Sequence, residues 1–327
     1  MDILITEEID APALQRLGQK YEVVRDATLW KDPARLEKQI RDARVVVVRN
    51  QTQLTADLLE AAPKLLGIGR VGVGLDNIAL DAAARLGLVV VAPLEANAVS
   101  VAELTMGFVL ALARKIPLAD RSTRTGGWDR KGCTGMELNG KTLAICGYGR
   151  IGRQVAHRAR AFGMRVLAYD PFLKRSEPET ATQEGITFCG EFGEALAGGD
   201  FLTAHLPLTP QTSRIFDQRA FSTMKQGSFF INTSRGGIVE EAALLDALRN
   251  AHLAGAALDV REIEPPSNKS GFELLDNVIL TPHIGSFTHE AQTRTIEAVS
   301  SDMDRLLRGD AAVHFVNFPR PTRLHSA

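Results

Sequence analysis

The sequence predicts an α/β protein made of two doubly wound parallel-sheet domains. Three observations carry this. Short β-branched runs recur along all 327 residues, several of them apolar at nearly every position, as strands covered on both faces are. Helix-like stretches stand between them, and strand alternating with helix implies parallel sheets with right-handed crossovers. A glycine-rich turn, 147–152, directly follows one strand and opens a helical stretch.

Taken in order, the strand-like runs are residues 3–5, 45–48, 65–69, 88–91, 143–146, 165–169, 201–205, 228–232, 254–258 and 278–280. The helix-like stretches include 57–61, 80–86, 152–162, 241–251 and 288–307. A long helical segment at 99–115 follows the first group of strands. A polar, glycine-containing loop at 121–140 comes next, and a fresh strand-turn-helix starts at Lys141. The final helix begins after Gly285, beyond the last strand of the second sheet. The expected layout is nested: residues 1–97 and 287–327 build one domain and 98–286 build the other.

Composition narrows the function classes. Hydrophobic residues make up 45% and charged residues 24%, enough apolar surface for packed cores. A net charge of -1 gives no general attraction to nucleic acid or anionic membrane, so neither is expected as a partner. The opening MDILITEEID lacks the basic-then-apolar order of a signal peptide, and no apolar run reaches the roughly 18 residues of a membrane span. A cytoplasmic protein is expected. Cys133, Cys146 and Cys189 form no CxxC pair, so neither a zinc site nor a disulfide framework fits them, and no metal is expected.

The turn Gly147-Tyr148-Gly149-Arg150-Ile151-Gly152 has the GxGxxG pattern of a dinucleotide site. Gly147 makes the tight turn, Gly149 lets backbone approach a pyrophosphate, and Gly152 lets helix pack on strand. The helix N-terminus offers free amide N–H groups and a positive dipole end to the phosphates. The next strand ends in Asp170, an acid that accepts hydrogen bonds from an adenine-ribose diol and repels a 2′-phosphate, so NAD is favoured over NADP. Arg150 fits either a phosphate contact or a solvated surface position. Lys174 and Arg175, just past Asp170, leave some NADP tolerance open.

Reducing a 2-keto acid calls for a group that holds the carboxylate and polarises the C2 carbonyl, a proton donor, and a placed nicotinamide. A guanidinium suits the first with its planar fork. A His suits the proton, and a carboxylate beside it fixes its tautomer. Residues of these kinds stand at the ends of successive strands, where open α/β sheets carry their sites. They are Arg235 after 229–232, Glu264 after 256–260 and His283 after 278–280. Each alone also reads as a surface Arg, a solvated loop acid or a turn His.

Together the motifs resemble the D-2-hydroxyacid dehydrogenase family, and especially its phosphoglycerate dehydrogenase branch. They are GRVGVGLDN at 69–77, SVAEL at 100–104, ELNGKT at 137–142, GYGRIG at 147–152, HLPLTP at 205–210, NTSRGG at 232–237, ALDV at 257–260 and TPHIG at 281–285. The resemblance implies a Rossmann NAD-binding domain inserted into a flavodoxin-like substrate-binding domain. It implies Arg235 as the carboxylate and carbonyl binder, and His283 as proton donor and acceptor with Glu264 as its partner. It implies Asp259 at the nicotinamide carboxamide, with His205, Leu206, Pro207 and Thr212 lining the cofactor and Thr233 and Ser234 near the nicotinamide. Backbone amides at Val71 and Gly72 would bind the substrate carboxylate. Homodimers or homotetramers are implied, with the long helix and the loop after it in the interface. A chain stopping soon after its final helix is expected to be a short form without the regulatory domain of longer members.

The substrate tail is the open point. Arg49 and Asn50 follow the strand 45–48, and the resemblance implies that Arg49 faces the far end of the substrate, where a phosphate or sulfonate suits a guanidinium. Capping of a strand end is the competing role. Arg130 and Lys131 stand either at a neighbouring subunit's cleft or in a solvated loop. The sequence departs from the family at APLEAN, 92–97, and at Ser286-Phe287, which replaces small polar residues. A C3-anionic acid such as 3-phosphoglycerate or sulfolactate is the expected substrate; glyoxylate or hydroxypyruvate reduction is the alternative. An NADH-sensing binding protein without turnover is an alternative of a different class.

Overall fold

The computed structural model describes residues 1–9, 11–173, 185–266 and 270–317. Lys174 and Arg175 lie outside the described residues. The chain divides into two compact units, Met1–Asn97 with Ser286–Ala327, and Ala98–Gly285.

The first unit holds β1 (Ile3–Ile5), β2 (Val23–Arg25), β3 (Val45–Val48), β4 (Gly67–Arg70) and β5 (Val89–Val91). Their order is β2-β1-β3-β4-β5, with every pairing parallel. Alternate residues of each strand face opposite ways, and both faces are apolar. Ile3, Ile5, Val45, Val47, Val89 and Val91 meet the helices Pro12–Leu17 and His289–Leu307. Leu4, Val46, Val48, Ile68 and Val90 meet the helices Pro33–Ile40, Ala56–Glu60 and Leu80–Arg85. β4 places glycine on the first of these faces because the long helix lies close. A Cβ at Gly67 would come within 2.6 Å of Leu306 Cδ1, and one at Gly69 within 2.7 Å of Val299 Cγ1.

The second unit holds β6 (Thr142–Cys146), β7 (Arg165–Tyr169), β8 (Ile186–Phe188), β9 (Phe201–Ala204), β10 (Ser228–Asn232), β11 (Leu253–Leu258) and β12 (Val278–Leu280). The order β12-β11-β10-β9-β6-β7-β8 is again all parallel. Counted from β6, it is the 3-2-1-4-5-6 order of dinucleotide-binding sheets with one more strand at the edge. One face packs on the helices Ala98–Ala113 and Arg150–Ala161 through Leu143, Ile145, Val166 and Ile231. The other packs Phe230, Leu202 and Leu258 on Phe216, Phe221 and Leu244.

Both sheets reverse winding once, between β1 and β3 and between β6 and β9. Ligands of open α/β sheets bind beyond the carboxyl ends of strands at such points. No described helix is long and apolar enough to cross a membrane. The polar loop expected from residue 121 starts later than its composition predicts. Lys115 in a left-handed conformation, followed by Pro117 near the helix start, launches the helix Ile116–Arg124 into it.

Candidate active site

In the second unit the glycine turn joins β6 to its helix at the winding reversal. Gly147 has φ +96, and a Cβ there would come within 2.4 Å of the His205 carbonyl oxygen, so only glycine fits between the ends of β6 and β9. A Cβ at Gly152 would come within 2.2 Å of the Gly147 carbonyl oxygen, which is the close helix–strand approach the motif requires. At Gly149 a Cβ would meet nothing within 4 Å, leaving open space at the N-cap of the helix Arg150–Ala161. Asp170 closes the far side: its carboxylate accepts from Tyr148 N and Phe172 N, both at 3.0 Å. Tyr148 is buried and its ring carries Arg153, whose Cζ is 4.9 Å from the centroid; Ile151 packs against the core, while Arg150 is exposed. An open cradle, a helix N-terminus and an acid one strand away fit a dinucleotide.

The loop after β9 is closed on itself, with Thr212 Oγ1 donating to Pro207 O at 2.6 Å. Leu206 is buried beside it. His205 bonds through Nε2 to Thr203 Oγ1 at 3.1 Å, and its Nδ1 is shut off from solvent with no partner among the described residues. Burial lowers its pKa to about 3, so the ring is neutral at ordinary pH.

At the ends of β10, β11 and β12 stand the three residues singled out from the sequence. Asn232 shapes the first loop: its Oδ1 accepts from Ser234 N and Oγ, and its Nδ2 donates to Arg235 O. Thr233 is pinned through Oγ1 to Thr105 Oγ1 at 3.0 Å. Gly236 lets this loop lie against the next one, since a Cβ there would overlap Arg261 O at 1.8 Å. The Glu264 carboxylate is shared: Oε1 accepts from Arg261 N at 2.9 Å, and Oε2 is 2.7 Å from His283 Nδ1. Burial opposes ionisation of Glu264, but the bonds from His283 and Arg261 and the nearby Arg235 charge outweigh it and hold the carboxyl below its ordinary pKa.

Asp259 fixes the third loop. Buried to 1% exposure, it accepts from Thr281 Oγ1 at 2.6 Å and from Ile284 N and Gly285 N at 2.8 Å each. Its backbone oxygen also takes the His283 N–H at 2.8 Å. These bonds hold His283 at φ 56, a left-handed conformation rare outside glycine. A carboxylate offers about four acceptor positions, so three bonds leave Asp259 room for one more donor.

In the first unit Arg49 and Asn50 follow β3, at the winding reversal of its own sheet, and Val71 and Gly72 follow the neighbouring β4. Arg49 ends β3; its guanidinium bonds Gln292 Oε1 and lies over the Phe287 ring, 5.1 Å from the centroid. Burial lowers its pKa against the opposing charge of Glu7. Asn50 beside it is exposed. Val71 is buried, and Gly72 adopts φ +148 where a Cβ would collide with the Arg70 guanidinium. That guanidinium donates to Val71 O and Gly74 O, holding the turn.

Three positioning residues escape sequence reasoning. Glu7, 4% exposed at the end of β1, accepts from Arg49 N, Gln51 N, Thr52 N and Thr52 Oγ1. Asn77 donates to Arg49 O and Thr52 O. Asn232 builds the Arg235 turn. A buried acid after a strand run was visible at Glu7; its partners, some forty residues away, were not. No group of three or more His, Cys, Asp or Glu side chains able to hold a metal occurs among the described residues.

Residues 106–285 match the model of the D-isomer specific 2-hydroxyacid dehydrogenase, NAD binding domain. The chain is 44% identical to D-3-phosphoglycerate dehydrogenase of Methanocaldococcus jannaschii over 97% of its own length and 59% of that protein's. With the Rattus norvegicus enzyme of the same name it shares 42% identity over 96% of this chain and 58% of the relative. The chain therefore spans about three fifths of the curated relatives it matches. Among solved structures, D-lactate dehydrogenase from Aquifex aeolicus, complexed with NAD and lactic acid, superposes with a TM-score of 0.87 at 30% identity, covering 97% of this chain and all of that one. The chain belongs to the D-isomer specific 2-hydroxyacid dehydrogenase family and carries its NAD-binding domain.

Proposed function

We propose that this protein is an NAD-dependent oxidoreductase acting at C2 of a small 2-hydroxy or 2-keto acid. The observation that carries the reading is the 2.7 Å contact between Glu264 Oε2 and His283 Nδ1, with Arg235 close enough to act on the same carboxylate. With Nδ1 committed to Glu264, Nε2 is the ring atom left to exchange a proton. In reduction, His283 gives that proton to the C2 oxygen while Arg235 stabilises the charge growing there. Glu264 stays ionised and holds the ring through Nδ1. Bound NADH supplies the hydride that C2 accepts. Asp259 keeps the His283 turn in place and offers its remaining acceptor position to the nicotinamide carboxamide.

The substrate proposed is a keto acid with an anionic group on C3, as in 3-phosphoglycerate or sulfolactate and their oxidised forms. Arg49 is its recognition element, a charged group that forms no ion pair among the described residues. Val71 and Gly72 offer backbone N–H groups to the carboxylate. The same reading gives a homodimer or homotetramer through the helix Ala98–Ala113 and the loop beyond it, where Ile116 and Trp128 expose large apolar surfaces.

NADH oxidation against glyoxylate, hydroxypyruvate, pyruvate, phosphohydroxypyruvate and sulfopyruvate tests the reading. The two anionic-tailed acids are expected to lead, and Arg49→Leu is expected to remove their advantage. A lead for the uncharged acids would discard the role of Arg49 and favour a glyoxylate or hydroxypyruvate reductase. Tight NADH binding without turnover would favour an NADH-sensing protein.

A further inference from the structure

We infer that Phe287 determines specificity for the anionic tail, by holding Arg49 as a flat clamp for a phosphate or sulfonate on C3. This rests on the substrate reading above. Phe287 places its phenyl ring 5.1 Å from the Arg49 guanidinium carbon. The ring is 57% exposed, so the core does not require it.

Local structure explains why ring and guanidinium meet. Thr288 caps the helix His289–Leu307, accepting from Ala291 N at 3.2 Å. Phe287 precedes the cap, and Gln292 is the fourth helical residue. In many helices these two positions close on each other as an apolar staple. Here both close on Arg49. Gln292 donates Nε2 to Ser286 O at 2.9 Å, which turns its Oε1 toward the guanidinium. Arg49 is thus held at one edge by an amide oxygen and on one face by a ring.

The charge is held but not neutralised. No carboxylate pairs with Arg49 among the described residues. The acid whose charge acts on it, Glu7, spends both oxygens on the backbone N–H groups of Arg49, Gln51 and Thr52 and the Thr52 hydroxyl. Stacking uses the face of a guanidinium and leaves its in-plane N–H donors for a second partner. Covering that face removes water, which strengthens pairing with an anion. Fixing the side chain also lowers the entropy lost when the anion binds. A neutral C3 hydroxyl gains far less from such a clamp.

The test compares kcat/KM for phosphohydroxypyruvate with that for hydroxypyruvate in the wild type, Phe287→Ser, Phe287→Leu, Phe287→Tyr and Arg49→Leu proteins. Phe287→Ser is expected to lower the ratio about fivefold, mainly through KM, with Phe287→Tyr keeping it within about twofold. Phe287→Leu retains apolar cover and is expected to fall between them, which keeps the test intact if the Ser variant folds poorly. A ratio lowered by Arg49→Leu but unmoved by Phe287→Ser and Phe287→Leu would overturn the role of Phe287 and leave the anionic-tail reading standing. A ratio unmoved by Arg49→Leu would overturn that reading and the role of Phe287 with it.

Discussion

Glu264 and His283 stand nineteen positions apart, yet share a 2.7 Å contact because β11 and β12 are parallel neighbours ending side by side. Glu264 has a folded pKa below its ordinary value. Its charge therefore stabilises the native state above the ordinary carboxyl pKa, and that contribution is lost as pH falls through the lowered value. The carboxylate is thus ionised across the neutral range. Glu264→Gln removes the carboxylate that holds His283 Nδ1 and orients the ring, so kcat/KM for reduction is expected to fall about tenfold or more. Steady-state kinetics with the best keto acid checks this, and an unchanged kcat/KM would remove Glu264 from that role. At this scale the sequence shows the groups proposed to carry the chemistry, since Arg235, Glu264 and His283 lie in short motifs at strand ends. The groups that place them stay hidden. Glu7, Asn77, Asn232 and the turn-holding use of Asp259 all work through bonds to main-chain or side-chain atoms that only the folded chain brings near.

Strands are legible where their runs are apolar. β3, β6 and β10 are buried at every position and read as apolar runs. The edge strands β2 and β8 mix a polar residue into three partly exposed positions and carry no such signal, whereas the equally short edge strand β12 is apolar throughout and does. Pro12–Leu17 and Pro33–Ile40 show too few turns for a period to emerge, although the equally short Ala56–Glu60 and Leu80–Arg85 read as helix-like stretches. The glycines of β4 look like strand breakers in sequence, but the helix His289–Leu307 explains them. Gly69→Val places new side-chain atoms against Val299 and Met303, and is expected to destabilise the protein by about 1–3 kcal/mol through overpacking. Thermal or urea unfolding checks the value; a loss below about 0.5 kcal/mol would mean the helix is free to shift.

For the whole molecule, the chain divides into Met1–Asn97 with Ser286–Ala327 and Ala98–Gly285, and each unit holds its own parallel sheet. The pattern locates strand-turn-helix repeats, but strand order comes from which edges pair. That is why the two winding reversals emerge only in three dimensions. One buried group also sets a molecular response to acid. His205 has a folded pKa of about 3 against an ordinary 6.5, so between those values the unfolded chain binds a proton that the native state refuses. Stability is therefore expected to fall as pH drops from about 6.5 toward about 3, and His205→Gln is expected to flatten that part of the slope. Thermal midpoints across this range check it; equal slopes would show that other groups govern acid sensitivity.

The central claim, proton transfer by His283 in an NAD-binding unit, is tested most directly by comparing wild type and His283→Ala for NADH binding and for NADH oxidation with the best keto acid. The account predicts that turnover falls by roughly two to four orders of magnitude while the NADH dissociation constant stays nearly unchanged. Turnover that survives the substitution, or NADH affinity that falls with it, would contradict the account.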